Sequence, residues 1–456
     1  YEIRPRDWSS DVCSSDLAPY PFTTREPNRG VANVPDPRID AIADVLRLLV
    51  LQPPPNITTG LAAGGWKEAI RTLGIGNKLR RLAMRERRAL LDLFTLSAGD
   101  YLDRWFDGAL IKALFGFDAI VGNYASPYTP GTAYVMLHHA FGEVNGKQRI
   151  WGHAIGGMGA ITQAMAKAAR QRGADIETAA AVREIVIERG RATGVVLADG
   201  RVLRARAIVA GVNPKLLYTG LIAPDALPAE FLSRIKHWRN GSGTFRINVA
   251  LSRLPQFSAR PATGIEDHHT AGIILAPSLA YMDRAYHDAR ALGSSREPII
   301  EVLIPSTLDD SLAPPGAHVA SVFCQHVAPR LPDGRSWDDE REATADLMIA
   351  TVDRYAPGFA ASVVGWQILS PLDLERNFGL IGGDIFHGAM TLDQLFSARP
   401  MLGHADYRSP IAGLYHCGSG THPGGGVTGA PGHNAARVIA GDLRRRLRRT
   451  ARANET

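Results

Sequence analysis

Cysteine is scarce in this chain, with Cys13, Cys324 and Cys417 the only three among 456 residues. They share no metal-ligand spacing and are too few for a disulfide framework, which excludes a small stapled secreted fold and points to a reducing compartment, the cytoplasm. No metal site is expected. Long apolar runs are missing too: stretches such as 45–51 fall far short of the ~20 residues that cross a bilayer. No basic-then-apolar leader opens the chain, so it is read as soluble and without a transmembrane segment. Aromatic residues make up 7% and charged residues 21%, beside 45% hydrophobic residues, the balance of an ordinary globular protein rather than a disordered or fibrous one.

What is present is length, charge at one end, and glycine. At 456 residues the chain exceeds what one growing core supports, so two lobes are expected. The net charge of +6 is local, because 441–456 carries six arginines against Asp442 and Glu455. Arg444, Arg445, Arg446, Arg448 and Arg449 therefore read as the solvated end of a C-terminal helix, not as a patch for anionic lipid, and no nucleic acid partner is expected.

The opening run 6–17, RDWSSDVCSSDL, has neither helical nor strand periodicity. It resembles a spurious peptide of translated assemblies, and 1–33 is set aside as an unreliable N-terminus. From 36 to 117 the pattern is helical, with Ile39, Ile42, Val45, Leu46 and Leu49 recurring at three and four residues, and prolines 53–55 break the first helix. This predicts a helical cap over 34–150.

At Trp151 a glycine turn leads to a helix over 158–172 and a strand entered at Ala174. Strands follow over 181–188, 194–198 and 205–210, with turns at Arg189-Gly190-Arg191 and Asp199-Gly200. This reads as a βαβ-like connection and a small meander within 151–220, one part of an α/β cofactor domain. Strands at 245–251, 299–304, 319–326 and 363–369, with a helix near 340–355, predict a mixed or antiparallel sheet within 221–398, the substrate domain. The α/β character returns over 399–446: a short strand 414–417, a glycine loop 418–432 and a helix 433–447, followed by a basic tail at 447–456. The cofactor domain is thus discontinuous.

Seven glycines fall within 418–432. Glycine costs conformational entropy and buries no side chain, so this crowding reads as a close approach of backbone to a ligand. A loop that leaves a strand and enters a helix presents free N–H groups to an anion. Gly424, Gly426 and Gly429 match G-x-G-x-x-G, but the helix runs to the chain end rather than to a second strand with an acidic residue, so the match is not a dinucleotide-fold opening.

Three stretches carry a resemblance. They are 151–169 with His153, Gly156, Gly157 and Gly159; 181–210 with Val182, Asp199-Gly200 and Ala210; and Cys417-Gly418-Ser419-Gly420-Thr421-His422-Pro423-Gly424-Gly425-Gly426-Val427. Together they are similar to the phytoene-desaturase-like FAD-dependent oxidoreductases, with support from 122–131 and 383–388. The resemblance implies an α/β fold: an FAD/NAD(P)-binding Rossmann-like domain, a mixed or antiparallel-sheet substrate domain and a helical cap. It implies FAD as cofactor, with Val182 at the adenine, and Ala210 and Gly211 ending a strand beside it. Gly418, Ser419, Gly420 and Thr421 would pass the pyrophosphate, and Gly425, Gly426, Val427, Gly429, Ala430 and Pro431 would lie near the flavin ring. The family's opening strand–glycine turn–helix is absent from the chain, and weak FAD retention is expected on that ground.

The implied activity is a dehydrogenase or desaturase that takes hydride from an apolar or amphipathic small molecule. A flavin-fold binding or regulatory protein with little turnover, or a carotenoid-type desaturase, are the alternatives. Catalytic residues stay unassigned, because hydride transfer needs a dry, well-placed site more than an acid–base pair. His422 and His153 are read more readily as structural than as catalytic, and Asp384 as a turn cap beside His387. His138-His139 and His268-His269 would point apart on regular structure. Ser419 lacks a G-x-S-x-G frame. The resemblance leaves the oligomeric state open and places eukaryotic relatives in the mitochondrial matrix.

Overall fold

The computed structural model describes residues 46–47, 49–56, 58, 65–140, 143–144, 147–148 and 153–454. The expected artefact at 1–33, the helix positions Ile39, Ile42 and Val45, and Trp151 lie outside the described residues. In chain order the strands are β1 (Glu143–Val144), β2 (Lys147–Gln148), β3 (Val182–Glu188), β4 (Arg191–Leu197), β5 (Val202–Arg204), β6 (Ile208–Ala210), β7 (Phe245–Leu251), β8 (Ile273–Leu275), β9 (Ser294–Leu303), β10 (His318–Val327), β11 (Val363–Leu369) and β12 (Leu414–His416).

The chain divides into two compact units. One holds Leu96–Thr178 and Gly243–Leu374; the other holds Ala179–Ser242, Glu375–Thr456 and the described part of Asp36–Thr95. These cuts differ from the expected domain limits, since the helix Met158–Gln171 groups with the five-stranded sheet and the helices Gly65–Arg81 and Met84–Thr95 group with the glycine loop.

In the first unit the sheet order is β11-β7-β10-β9-β8, antiparallel throughout. Alternation drives it: Phe245, Ile247, Val249 and Leu251 all point to one face and are all buried. That face packs with Val302, Val322 and Cys324 against the helix Trp337–Tyr355 through Ala345, Met348, Ile349 and Val352. Ser336 caps this helix by accepting from Asp338 N, and three acidic residues fill its first turn. The helices Ala109–Ile120 and Leu279–Leu292 form a second core with Ile299, beside Ile274 and Phe323. β8 and the helix Leu279–Leu292 were not foreseen, because three apolar residues are too short a signal for a strand.

In the second unit β3, β4 and β5 form an antiparallel meander, and β6 pairs with β12 in parallel. Arg189 and Gly190 both take positive φ, 51° and 71°, the backbone of a two-residue hairpin turn whose twist matches its strands. The expected strand at Ala174 does not form: 174–181 is irregular, so the helix Met158–Gln171 leads to a meander and there is no βαβ crossover at this point. The expected final strand 205–210 is shorter, β6 at Ile208–Ala210, and β5 before it was not expected. Ile185, Ala192, Leu217, Tyr218, Phe231, Ile235 and Leu414 make this unit's core.

Candidate functional site

β6 and β12 set the geometry. Leu414 lies opposite Ile208 and His416 opposite Ala210, and Cys417 N–H extends the ladder to the Ala210 carbonyl at 2.8 Å. Ligands of open α/β sheets bind beyond the carboxyl ends of parallel strands, which here carry Ala210-Gly211 and Cys417-Gly418. A Cβ on Gly418 would lie 2.8 Å from the Gly211 carbonyl oxygen, and Gly418 has φ 83°, so the two loops cross where only glycine fits.

The glycine crowding has two causes, which corrects the expectation that all of it faces a ligand. A Cβ on Gly420 would meet Pro214 Cδ at 2.5 Å, and one on Gly425 would meet Phe386 Cδ1 at 2.0 Å. Gly424 would crowd Met390 Sδ at 3.3 Å. These glycines admit the protein's own side chains and are buried. Gly426, Val427, Thr428 and Gly429 are exposed instead, with Val427 at 75% exposure and φ 55°. Gly429 and Gly432 have nothing within 4 Å of a built Cβ, so open space lies over the start of the helix Ala430–Asn454. Thr428 Oγ1 accepts from Ala430 N at 3.2 Å, and Pro431 has no N–H to satisfy.

A fully buried arginine holds the loop from behind. Arg399 Nε and one terminal nitrogen donate to the Ser419 carbonyl at 3.1 and 2.7 Å. The other bonds reach the carbonyls of Phe386 (2.7 Å), Gly388 (3.4 Å), Ala389 (3.2 Å) and Gln394 (3.1 Å). The guanidinium also lies 5.5 Å from the Trp238 ring. Asp384 is buried nearby, accepting from Phe386 N at 2.8 Å and Gly241 N at 3.0 Å. It is thus a turn cap, as read from sequence. Burial raises its carboxyl, against these bonds and the Arg399 charge.

Two histidines of the motif are neutral and structural. His416 Nε2 binds the Val212 carbonyl at 2.8 Å and His422 Nε2 the Leu49 carbonyl at 2.9 Å. Burial pushes each down to about 4. Tyr407 donates to the His422 carbonyl at 2.8 Å, and Asn434 Nδ2 donates to Tyr407 Oη at 3.0 Å and to the Val50 carbonyl at 2.9 Å.

Ala210, Gly211, Gly418, Ser419, Gly420 and Thr421 are therefore gathered at one edge, with Thr421 fully buried and bonded to the Gly418 carbonyl at 2.9 Å. Gly425, Gly426, Val427, Gly429, Ala430 and Pro431 continue from them into the helix. Val182 opens β3, more than a third exposed, and no hydrogen bond joins it to 417–429 among the described residues. One further expectation changes. His268 and His269 share a one-turn 3-10 helix, so their rings stand 3.8 Å apart rather than diverging. His153 lies near Asp309, whose carboxylate accepts from Gly156 N at 2.6 Å. Arg399, Tyr407 and Asn434 were missed, because burial of polar side chains around a loop leaves no local pattern.

Residues 64–257 match the family described as flavin containing amine oxidoreductase. Over that segment, less than half of its length, the chain is similar to these flavoproteins. Pyridine nucleotide-disulfide oxidoreductase domain-containing protein 2 of Rattus norvegicus is 44% identical over 359 residues, 77% of this chain and 62% of that protein. A limonene dehydrogenase component from Castellaniella defragrans is 28% identical, over 63% of this chain and 55% of that protein. Phytoene desaturase (lycopene-forming) of Pseudescherichia vulneris is 26% identical, over 72% and 62%. The chain thus spans less than two thirds of the length of these relatives. An oxidoreductase structure from Methanosarcina mazei gives a TM-score of 0.47 at 17% identity, over 79% of this chain and 73% of that one.

The cofactor of this flavoprotein group is FAD, and the residues present fit it. The helix start under Gly429 and Gly432 offers open space and the positive end of the helix dipole, which suit an anionic or electron-rich edge. No helix among the described residues is long and apolar enough to cross a membrane.

Proposed function

We propose that the chain is the greater part of an FAD-dependent dehydrogenase or desaturase that takes hydride from an apolar or amphipathic organic molecule. The observation that carries this is the parallel β6/β12 edge, with its glycine crossing at Gly211 and Gly418 and the open helix start beyond Gly429. In this reading Ala210, Gly211 and 418–421 line the cofactor's phosphate side. Gly426, Val427, Gly429, Ala430 and Pro431 border its ring, and Val182 takes the adenine. FAD supplies the hydride acceptor. The chain's own groups orient and shield it: Arg399 fixes the Ser419 carbonyl, and the neutral His416 and His422 hold backbone without adding charge.

An apolar substrate is supported by two relatives whose names specify limonene and phytoene. The domain roles assigned to 151–220 and 399–446 (cofactor) and 221–398 (substrate), and a cytoplasmic location, belong to the same proposal. The test is anaerobic: the chain is mixed with FAD and then with terpenoid hydrocarbons and long-chain alcohols, and flavin absorbance is followed. Saturable FAD binding with bleaching by one of these supports the reading. FAD binding without bleaching by any of them, together with stable capture of a protein partner, would sink it.

A further inference from the structure

The helices Gly65–Arg81 and Met84–Thr95 hold more positive charge than their own acids can answer. Residues 65–95 carry eight lysines and arginines against Glu68, Glu86 and Asp92. Glu68 and Glu86 are occupied with backbone, accepting from Asn56 N at 3.0 Å and from Ala83 N at 2.7 Å. Lys78, Arg81, Arg85 and Arg88 are exposed, and none of the four forms an ion pair among the described residues. Arg87 ties the second helix to the end of the first, its Nε donating to the Leu82 carbonyl at 3.0 Å and a terminal nitrogen to the Arg80 carbonyl.

Apolar side chains stand among these cations, where a solvated helix face carries polar ones. In the first helix Ile70, Leu73, Asn77 and Arg81 recur at three and four residues as one exposed stripe, while Ile75 and Leu79 on the other side are partly covered. In the second, Met84, Arg88, Leu91 and Thr95 form the exposed stripe, and Leu93 opposite is buried. Ile70, Met84, Leu91 and Leu73 are 59%, 59%, 62% and 71% exposed. One exposed leucine means little, but four large apolar residues at stripe spacing, interleaved with cations, make a surface for contact.

We propose that these two helices dock on an anionic lipid surface, with Ile70, Leu73, Met84 and Leu91 entering the headgroup boundary while the neighbouring cations meet lipid phosphates. Charge and apolar area select this occupant together. A second copy of the chain brings the same cations and is repelled, and a nucleic acid would use the cations but leave the apolar residues wet. The helices lie on the bilayer rather than span it, since at 17 and 12 residues neither is long and apolar enough to cross. The inference goes beyond the flavin reading and does not depend on it. Taken with that reading, it brings the protein to the phase in which an apolar substrate dissolves.

The experiment is co-sedimentation of the chain with vesicles of phosphatidylcholine alone, and with vesicles in which about one quarter is phosphatidylglycerol. Only the mixed vesicles should recover the chain in about 0.1 M salt, and about 1 M salt should release most of it. The triple variant Arg81→Glu/Arg85→Glu/Arg88→Glu should weaken binding by about tenfold or more. Leu73→Ser/Leu91→Ser, which leaves the charge alone, should weaken it about tenfold as well. Arg444→Glu/Arg446→Glu reverses charge on the exposed C-terminal helix and is the control, with a change below about threefold. All these side chains are exposed, so circular dichroism melts should stay at the parent value. No recovery on the mixed vesicles, equal recovery on phosphatidylcholine alone, or unchanged affinity in either helix variant overturns the proposal. A loss in the C-terminal control equal to that of the arginine variant overturns it too, because net charge alone would then account for the binding.

Discussion

Replacing Arg399 by methionine is the most decisive perturbation of the glycine loop. Methionine keeps an apolar stem of similar length but removes every donor to five carbonyls, those of Ser419, Phe386, Gly388, Ala389 and Gln394. A hydrogen bond to a charged group is worth about 1.5–3 kcal/mol, which five such carbonyls would multiply beyond the stability of a typical domain. Taking the guanidinium out of water offsets most of that, and breaking a buried charged network by removing one member costs about 3–5 kcal/mol in practice. The expected loss is therefore about 3–5 kcal/mol. Arg399→Lys should lose somewhat less, since an ammonium keeps the charge but cannot span the fork. Urea denaturation is the assay, with emission from Trp238 as a local reporter, its ring lying 5.5 Å from the guanidinium. A loss under about 1 kcal/mol in Arg399→Met would refute the view that this side chain holds the loop.

The other expectations are narrower. Gly425→Ala drives a Cβ to 2.0 Å from Phe386 Cδ1 and should cost about 1–3 kcal/mol in thermal melts. Gly432→Ala meets nothing within 4 Å at a helical position, so it should raise apo stability by about 0.5–1 kcal/mol while weakening FAD in fluorescence titration. His416 and His422, held near 4 against an ordinary 6.5, leave the unfolded chain with more bound protons between those values. Stability should thus be full above about pH 6.5 and fall as pH drops toward 4, a slope that His422→Asn should reduce in pH-dependent urea midpoints. Glu301 has the opposite sign: raised from 4.5 to about 7, it is more protonated in the folded chain, so it withdraws stability as pH rises through that window. Glu301→Gln should recover on the order of 2 kcal/mol at pH 8 and nothing at pH 4. A flat difference across pH would show that burial does not raise this carboxyl.

Where the sequence was legible, the signal was periodic and local. β7 alternates over seven residues with Phe245, Ile247, Val249 and Leu251 buried, and β11 has the expected bounds although only Ile368 and Leu369 of it are buried. The hairpin turns at Gly190 and Gly200 were legible because positive φ restricts the residue choice. Among the three-residue strands, β6 and β12 fall within the expected segments 205–210 and 414–417, whereas β5 and β8 were not foreseen, since so short a run cannot be told from any apolar patch. At the site, the cofactor loop was visible as glycine composition, but composition could not separate glycines that admit Phe386 and Pro214 from those that open toward a ligand. Arg399 and Asn434 were invisible for a related reason. Their bonds go to backbone oxygens up to 384 positions away, as from Asn434 to Val50, and a carbonyl carries no residue identity.

The parallel pairing of β12 with β6 joins segments made at very different times. His416 reaches Val212 across 204 positions of chain, and the loop that follows is braced by a strand translated long before it. A ribosome-bound chain lacks this brace until β12 has emerged, so the crossing of Gly211 and Gly418 cannot form before then. Prematurely terminated products would present the early strand with a bare edge, ready targets for proteolysis and unable to divert electrons.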